Sequence, residues 1–130
     1  MQLFANIGII LITKFGYLWF MDRIEKLLNF LASQPSDNFL RHALALEYIK
    51  VGNDAEARAL FTAIVTETPS YVGTYYHLAK LLEKMGEQAE AITCYEKGLE
   101  ACKLAGDKHA YSELQAAYED LIYYAIRVVY

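Results

Sequence analysis

The sequence predicts an all-α chain of stacked helical hairpins, and three observations carry that prediction. Sliding the sequence along itself by 34 residues brings like residues onto like. Helix breakers are scarce, with two prolines and seven glycines in 130 residues. Residues of helix-capping type recur ahead of each apolar-periodic stretch. At 55% hydrophobic and 22% charged residues the chain is globular rather than disordered, and it is long enough for one domain with a core.

Each element follows in order. Asp22 with Glu25 reads as a capping box opening a first helix over 22–33. Ser36 or Asp37 caps a second, running to about Val51. Asn53 with Glu56 forms another box for a third helix, to about Glu67. Ser70 caps a fourth, to about Met85. The fifth runs from Gln88 to Leu104 and stops at Gly106, and Asp107 caps a sixth from Lys108 to about Arg127.

The 34-residue shift gives these helices their pairing. Leu44 falls on Leu78, Ala45 on Ala79, Gly52 on Gly86, Ala57 on Ala91, Phe61 on Tyr95 and Val65 on Leu99. Shifted the other way, Leu27 falls on Phe61, Phe30 on Ile64, Leu31 on Val65 and Pro35 on Pro69. The small residues allow two helices to approach closely, and Phe61 and Tyr95 are large knobs beside them. Leu44 with Tyr48, and Leu78 with Leu82, make the apolar stripe of a first helix at i, i+4 spacing. Gly52 and Gly86 sit where a left-handed residue ends a helix, and the two prolines lie just past helix ends.

This pattern resembles the tetratricopeptide repeat. The repeat at 38–71 carries Leu44, Ala45, Tyr48, Gly52, Ala57, Phe61 and Pro69, and the repeat at 72–105 carries Tyr75, Leu78, Ala79, Gly86, Ala91 and Tyr95. Lys103 stands where the closing Pro belongs, so the second helix of that repeat is expected to run longer. A half repeat fills 22–37. The helix at 107–127 has Ser112 and Glu113 in place of the Leu and small-residue pair, and reads as a C-terminal capping helix with Tyr111, Leu114, Tyr118, Leu121 and Ala125 as its apolar stripe. The resemblance implies a right-handed helical-hairpin solenoid over 21–130 and a scaffold role in protein–protein interaction.

Residues 1–20 stand apart as an apolar leader. Their uninterrupted apolar run, Ile7 to Ile12, is shorter than the ~20 residues of a membrane span, and Lys14 adds an insertion cost of about 2.5–3.5 kcal/mol. No basic region or small-residue cleavage site marks a signal peptide. The leader is a marginal membrane anchor, a segment packed on the repeats, or an extension ahead of a natural start at Met21.

The resemblance implies a partner protein or peptide in the concave groove lined by the first helix of each repeat. That groove is expected to hold Phe39, His42, Leu46, Ile49 and Lys50, then Gly73, Tyr76, His77, Lys80, Glu83 and Lys84, then Ala110, Tyr111, Leu114, Ala117 and Tyr118. Leu46, Ile49 and Leu114 have the strongest claim to a plain packing role instead. Chaperone-binding members of the family use a carboxylate clamp of Lys, Asn and Arg. Here His42, Leu46, His77, Asp107 and Tyr111 occupy its positions, so an acidic chaperone tail is not implied. The groove suits an amphipathic helix or an extended apolar segment.

Other function classes find little support. The net charge of −4 with scattered basic residues argues against nucleic acid. Cys94 and Cys102, eight residues apart on one helix, are about 12 Å from each other, too far for a disulfide, and read as reduced thiols of a cytoplasmic chain. His42, His77 and His109 form no zinc motif, and no Gly-rich phosphate loop or nucleophile signature occurs. No cofactor, metal or catalytic residue is expected. The apolar leader and the apolar tail, with Tyr123, Tyr124, Ile126, Val128 and Val129, predict that something covers the two ends, most simply a second copy in a homodimer.

Overall fold

The computed structural model describes the backbone of residues 2–129 and the side chains of residues 14–129. These residues are all-α, with helices α1 (Gln2–Ser33), α2 (Asn38–Lys50), α3 (Asp54–Glu67), α4 (Gly73–Lys84), α5 (Gln88–Ala105) and α6 (Lys108–Val129). They belong to two compact units, Met1–Ala57 and Arg58–Tyr130.

Most helix ends fall where local chemistry places them. Asp37 Oδ1 accepts the Leu40 N–H at 2.9 Å, and Asp107 Oδ1 accepts the Ala110 N–H at 2.9 Å. Each satisfies a backbone donor left open in a first turn. Asn53 Oδ1 accepts the Glu56 N–H at 3.4 Å. The helix-ending glycines Gly52, Gly86 and Gly106 take φ of 82°, 81° and 69°, a region that a Cβ penalises.

Two starts differ from the sequence reading. Asp22 does not cap a helix: α1 runs straight through it, so the expected boundary after residue 20 lies inside one helix. Asp22 Oδ2 instead pairs with Lys26 Nζ at 3.0 Å, one turn on. A cap contributes about 1 kcal/mol, and no Pro or helix-ending Gly interrupts 17–22, so cooperative propagation of the helix prevails. Ser70 lies in a turn, and α4 begins three residues later at Gly73, with Val72 ahead of it giving no side-chain cap. That turn is held from inside the fold, where the Tyr75 hydroxyl donates to the Pro69 carbonyl at 2.7 Å.

In the first unit α1 packs on α2 through Ile24, with Phe20, Leu27 and Leu31 half-buried, opposite the buried Leu44 and Ala45. Glu47 is buried among them, and its Oε1 accepts from Arg23 at 3.0 Å and Lys50 at 3.1 Å. A buried carboxylate requires such partners, because an unpaired one carries a large desolvation cost. Phe30, the counterpart of the fully buried Ile64, is 59% exposed.

In the second unit α5 lies between α4 and α6. Phe61, Ile64, Ala79, Ala91, Tyr95, Cys102 and Leu114 are buried to within 1%. Gly98 sets the closest approach: a Cβ there would stand 2.7 Å from Tyr75 Cβ and 3.0 Å from Leu114 Cδ1. α5 has 18 residues against 14 in α3, about one extra turn, as Lys103 in place of Pro led one to expect.

Candidate functional site

The residues expected along the groove fall into sets that the fold treats differently. On α2, Phe39 is 71% exposed, while His42, Leu46 and Ile49 are half-buried and Lys50 is exposed. Lys50 also reaches back over the Phe20 ring at 5.7 Å, which ties it to α1.

On α4, Tyr76, His77, Lys80 and Lys84 form one stripe, because residues four apart share a helix face. Tyr76 and His77 are half-buried, and Lys80 and Lys84 are exposed. The Tyr76 and His77 rings meet edge to face with centroids 5.7 Å apart, and the other side of His77 stacks on Phe61 at 6.2 Å. Burial pushes the His77 pKa below its ordinary value, and Glu113 on α6 opposes that shift without reversing it. His77 is therefore neutral near pH 7, a flat polar surface rather than a cation. Lys80 Nζ lies 3.4 Å from Glu83, whose carboxylate also accepts the Tyr95 hydroxyl. The stripe is thus pinned from behind by a core tyrosine.

α6 departs from the expected register. Leu114 is 1% exposed and Ala117 is buried, so both serve the core and neither lines a groove. Tyr118 meets Tyr95 edge to face at 6.2 Å and donates to Glu96 at 3.1 Å, both on α5. Tyr111 lies under Lys103 of α5, with Nζ 6.0 Å from the ring, and borders a cleft with Cys102 and Asp107 at the α5–α6 turn. Tyr111, Leu114 and Tyr118, expected beside Tyr76 and Lys80, each meet α5. The extra turn of α5 is offset by a shorter loop, since α2, α4 and α6 start at equal intervals. Counted back by 34, however, the buried Leu114 falls on the exposed Lys80, so that count places the wrong residues on the core-facing side of α6. Glu113, absent from the expected set, is the α6 residue whose charge acts on His77.

That same turn opens an apolar cleft between Val65, Pro69, Tyr75, Ala101 and Leu104, the last of these 84% exposed. Neither cysteine offers a reactive thiol. Burial pushes Cys94 up to about 12, and its Sγ donates to the Tyr75 carbonyl at 3.6 Å, while burial also raises Cys102. Among the described residues no group of three His, Cys, Asp or Glu side chains is placed to hold a metal ion. Among the same residues no helix is long and apolar enough to cross a membrane.

Comparison with known proteins agrees with this architecture. The sequence model of the tetratricopeptide repeat matches residues 72–103, the second full repeat. A tetratricopeptide repeat domain protein from Salinibacter ruber, known as a crystal structure, is 44% identical over 65% of this chain and 94% of that one, with a TM-score of 0.63. The solution structure of a Bordetella parapertussis protein is 28% identical over 76% of this chain and 86% of that one, with a TM-score of 0.66. The first tetratricopeptide domain of Spaghetti, bound to the HSP90 peptide SRMEEVD, shares the fold at 17% identity over 88% of this chain and 86% of that one, with a TM-score of 0.69. No curated protein matches the chain. The chain belongs to the tetratricopeptide repeat family, whose fold is one of protein–protein interaction.

Proposed function

We propose that this chain is a scaffold that binds a partner peptide or helix through the Tyr76, His77, Lys80 and Lys84 stripe of α4. The observation that carries the reading is the stripe itself. Tyr76 and His77 give an aromatic, uncharged platform with one edge open, and Lys80 and Lys84 extend it with two exposed ammonium groups. An amphipathic helix with an apolar face and an acidic flank complements such a surface. The Spaghetti domain provides a fold-level precedent for peptide binding, but its acidic peptide does not transfer, because His42, Leu46 and His77 replace the clamp positions here.

The test starts from amphipathic peptides selected by display against the full chain. Changing Tyr76 and Lys80 together to Ala is expected to weaken a selected peptide at least tenfold while leaving helicity unchanged. Peptides that bind the double variant as tightly as the wild type would place recognition on another surface.

A membrane-tethered assembly subunit is the alternative. It is favoured by the exposed Phe15, Tyr17, Leu18 and Trp19 on α1, at 76%, 54%, 60% and 56%. Fractionation of cells expressing the native locus separates the two readings. Protein found only in the soluble fraction removes the tether.

A further inference from the structure

α1 carries two apolar stripes, and α2 occupies only one of them. Phe20, Ile24, Leu27 and Leu31 face α2. The second stripe alternates spacings of four and three: Lys14, Leu18, Met21, Glu25, Leu28 and Ala32. This is the a/d pattern of a coiled coil, held over 14–32 of a single continuous helix. Within the described side chains the stripe is open. Leu18, Met21 and Leu28 are 60%, 41% and 46% exposed, and with Glu25 they line a shallow groove along α1.

We propose that this stripe is a homodimer seam, in which α1 pairs antiparallel with α1 of a second copy. The argument rests on charge complementarity. Antiparallel helices set an a position against a d position. One register places Leu18 against Met21 of the second copy and Lys14 against Glu25. Both charged seam residues then face an opposite charge, and Leu18 and Met21 face each other between them. Two-fold symmetry makes each pair twice.

The competing arrangements fail on the same residues. A parallel pair would set Lys14 on Lys14 and Glu25 on Glu25. An antiparallel pair slipped by one heptad would set Lys14 against Leu18 or Ala32, leaving both charges without partners in an apolar seam. A polar pair inside such a seam adds little stability and chiefly fixes register and orientation. A bilayer is a poor occupant of this stripe, because it would have to desolvate Lys14 and Glu25 with nothing opposite them.

The test uses the full chain and its molar mass by light scattering at high micromolar concentration. The wild type is expected at twice the monomer mass. Glu25→Lys alone and Lys14→Glu alone each place two like-charge pairs in the seam, and each is expected to return the chain to monomer mass. Both positions are exposed on α1, so unchanged helicity and melting of the second unit check that folding survives. Mixing the two variants restores every opposite-charge pair and is expected to give dimers containing one copy of each. A wild-type chain that stays monomeric overturns the proposal, whether or not it binds vesicles. So does a dimer indifferent to both reversals, or a mixture of variants that remains monomeric.

Discussion

Gly98→Ala puts the packing of the second unit to its hardest test. In an exposed helix the change stabilises by about 0.5–1 kcal/mol, because alanine loses less backbone entropy on folding. At Gly98 the added carbon arrives 2.7 Å from Tyr75 Cβ and 2.9 Å from Tyr75 Cγ. Leu114 Cδ1, at 3.0 Å, is the end of a side chain and can rotate away. Tyr75 Cβ is fixed to the α4 backbone and moves only if α4 moves. The Tyr75 hydroxyl bond to the Pro69 carbonyl holds that side chain from its far end. Overpacking of this kind costs about 1–3 kcal/mol. Set against the alanine gain, the net loss is about 0–2.5 kcal/mol, or a fall in Tm of up to roughly 10 °C. Thermal melting followed by circular dichroism reads it. Gly16→Ala is the control, since nothing lies within 4 Å of a Cβ at that position, and its Tm is expected to hold or rise. A Gly98→Ala chain that melts above the wild-type temperature would refute the close approach of α4 and α5.

Other perturbations read other parts of the fold. Ala91→Leu places three more carbons at a fully buried position and is expected to cost about 1–3 kcal/mol, read as a lower urea midpoint. Folding lowers the His77 pKa, so below the unfolded value of about 6.5 the unfolded chain binds more protons. Stability is therefore full above that pH and declines as pH falls through it, and His77→Gln is expected to flatten the Tm profile between pH 7 and 5. Cys94 and Cys102 are expected to resist a thiol reagent at pH 8 in the native chain and to react fully in denaturant. Rapid labelling of the native protein would contradict the burial of both.

What was legible in the sequence is what a single residue decides locally. Gly52 and Gly86 mark left-handed turns because few other residues tolerate that φ. Asp37 and Asp107 are read as caps because the side chain reaches its own first turn. Ala57, Ala91, Phe61 and Tyr95 are read as core because the repeat shows each role twice. The failures are decided by distant residues. Asp22 has the chemistry of a cap, and only the helical continuity of the leader removes the need for one. The core-facing side of α6 was not legible, because the buried Leu114, counted back by 34, falls on the exposed Lys80. No sequence pattern singles out Gly98, and what marks it is the large Tyr75 facing it from α4. Burial of Glu47 had only a partial trace in the sequence, since Lys50 lies one turn on along α2, while Arg23 is brought to it only by the packing of α1 on α2.

The extra turn of α5 also bears on how such a chain grows. Arrays of this kind lengthen by tandem duplication, and a copied segment is useful only if it passes the chain on in the phase in which it received it. Residues 38–71 and 72–105 both meet that condition, since α2, α4 and α6 start at Asn38, Gly73 and Lys108, at equal intervals. The first segment reaches that interval with a 14-residue second helix and a long Pro-containing turn, the second with an 18-residue helix and a short turn at Gly106 and Asp107. Helix length and loop length therefore trade against each other, and a duplicate of either segment would hand the chain on at the same spacing.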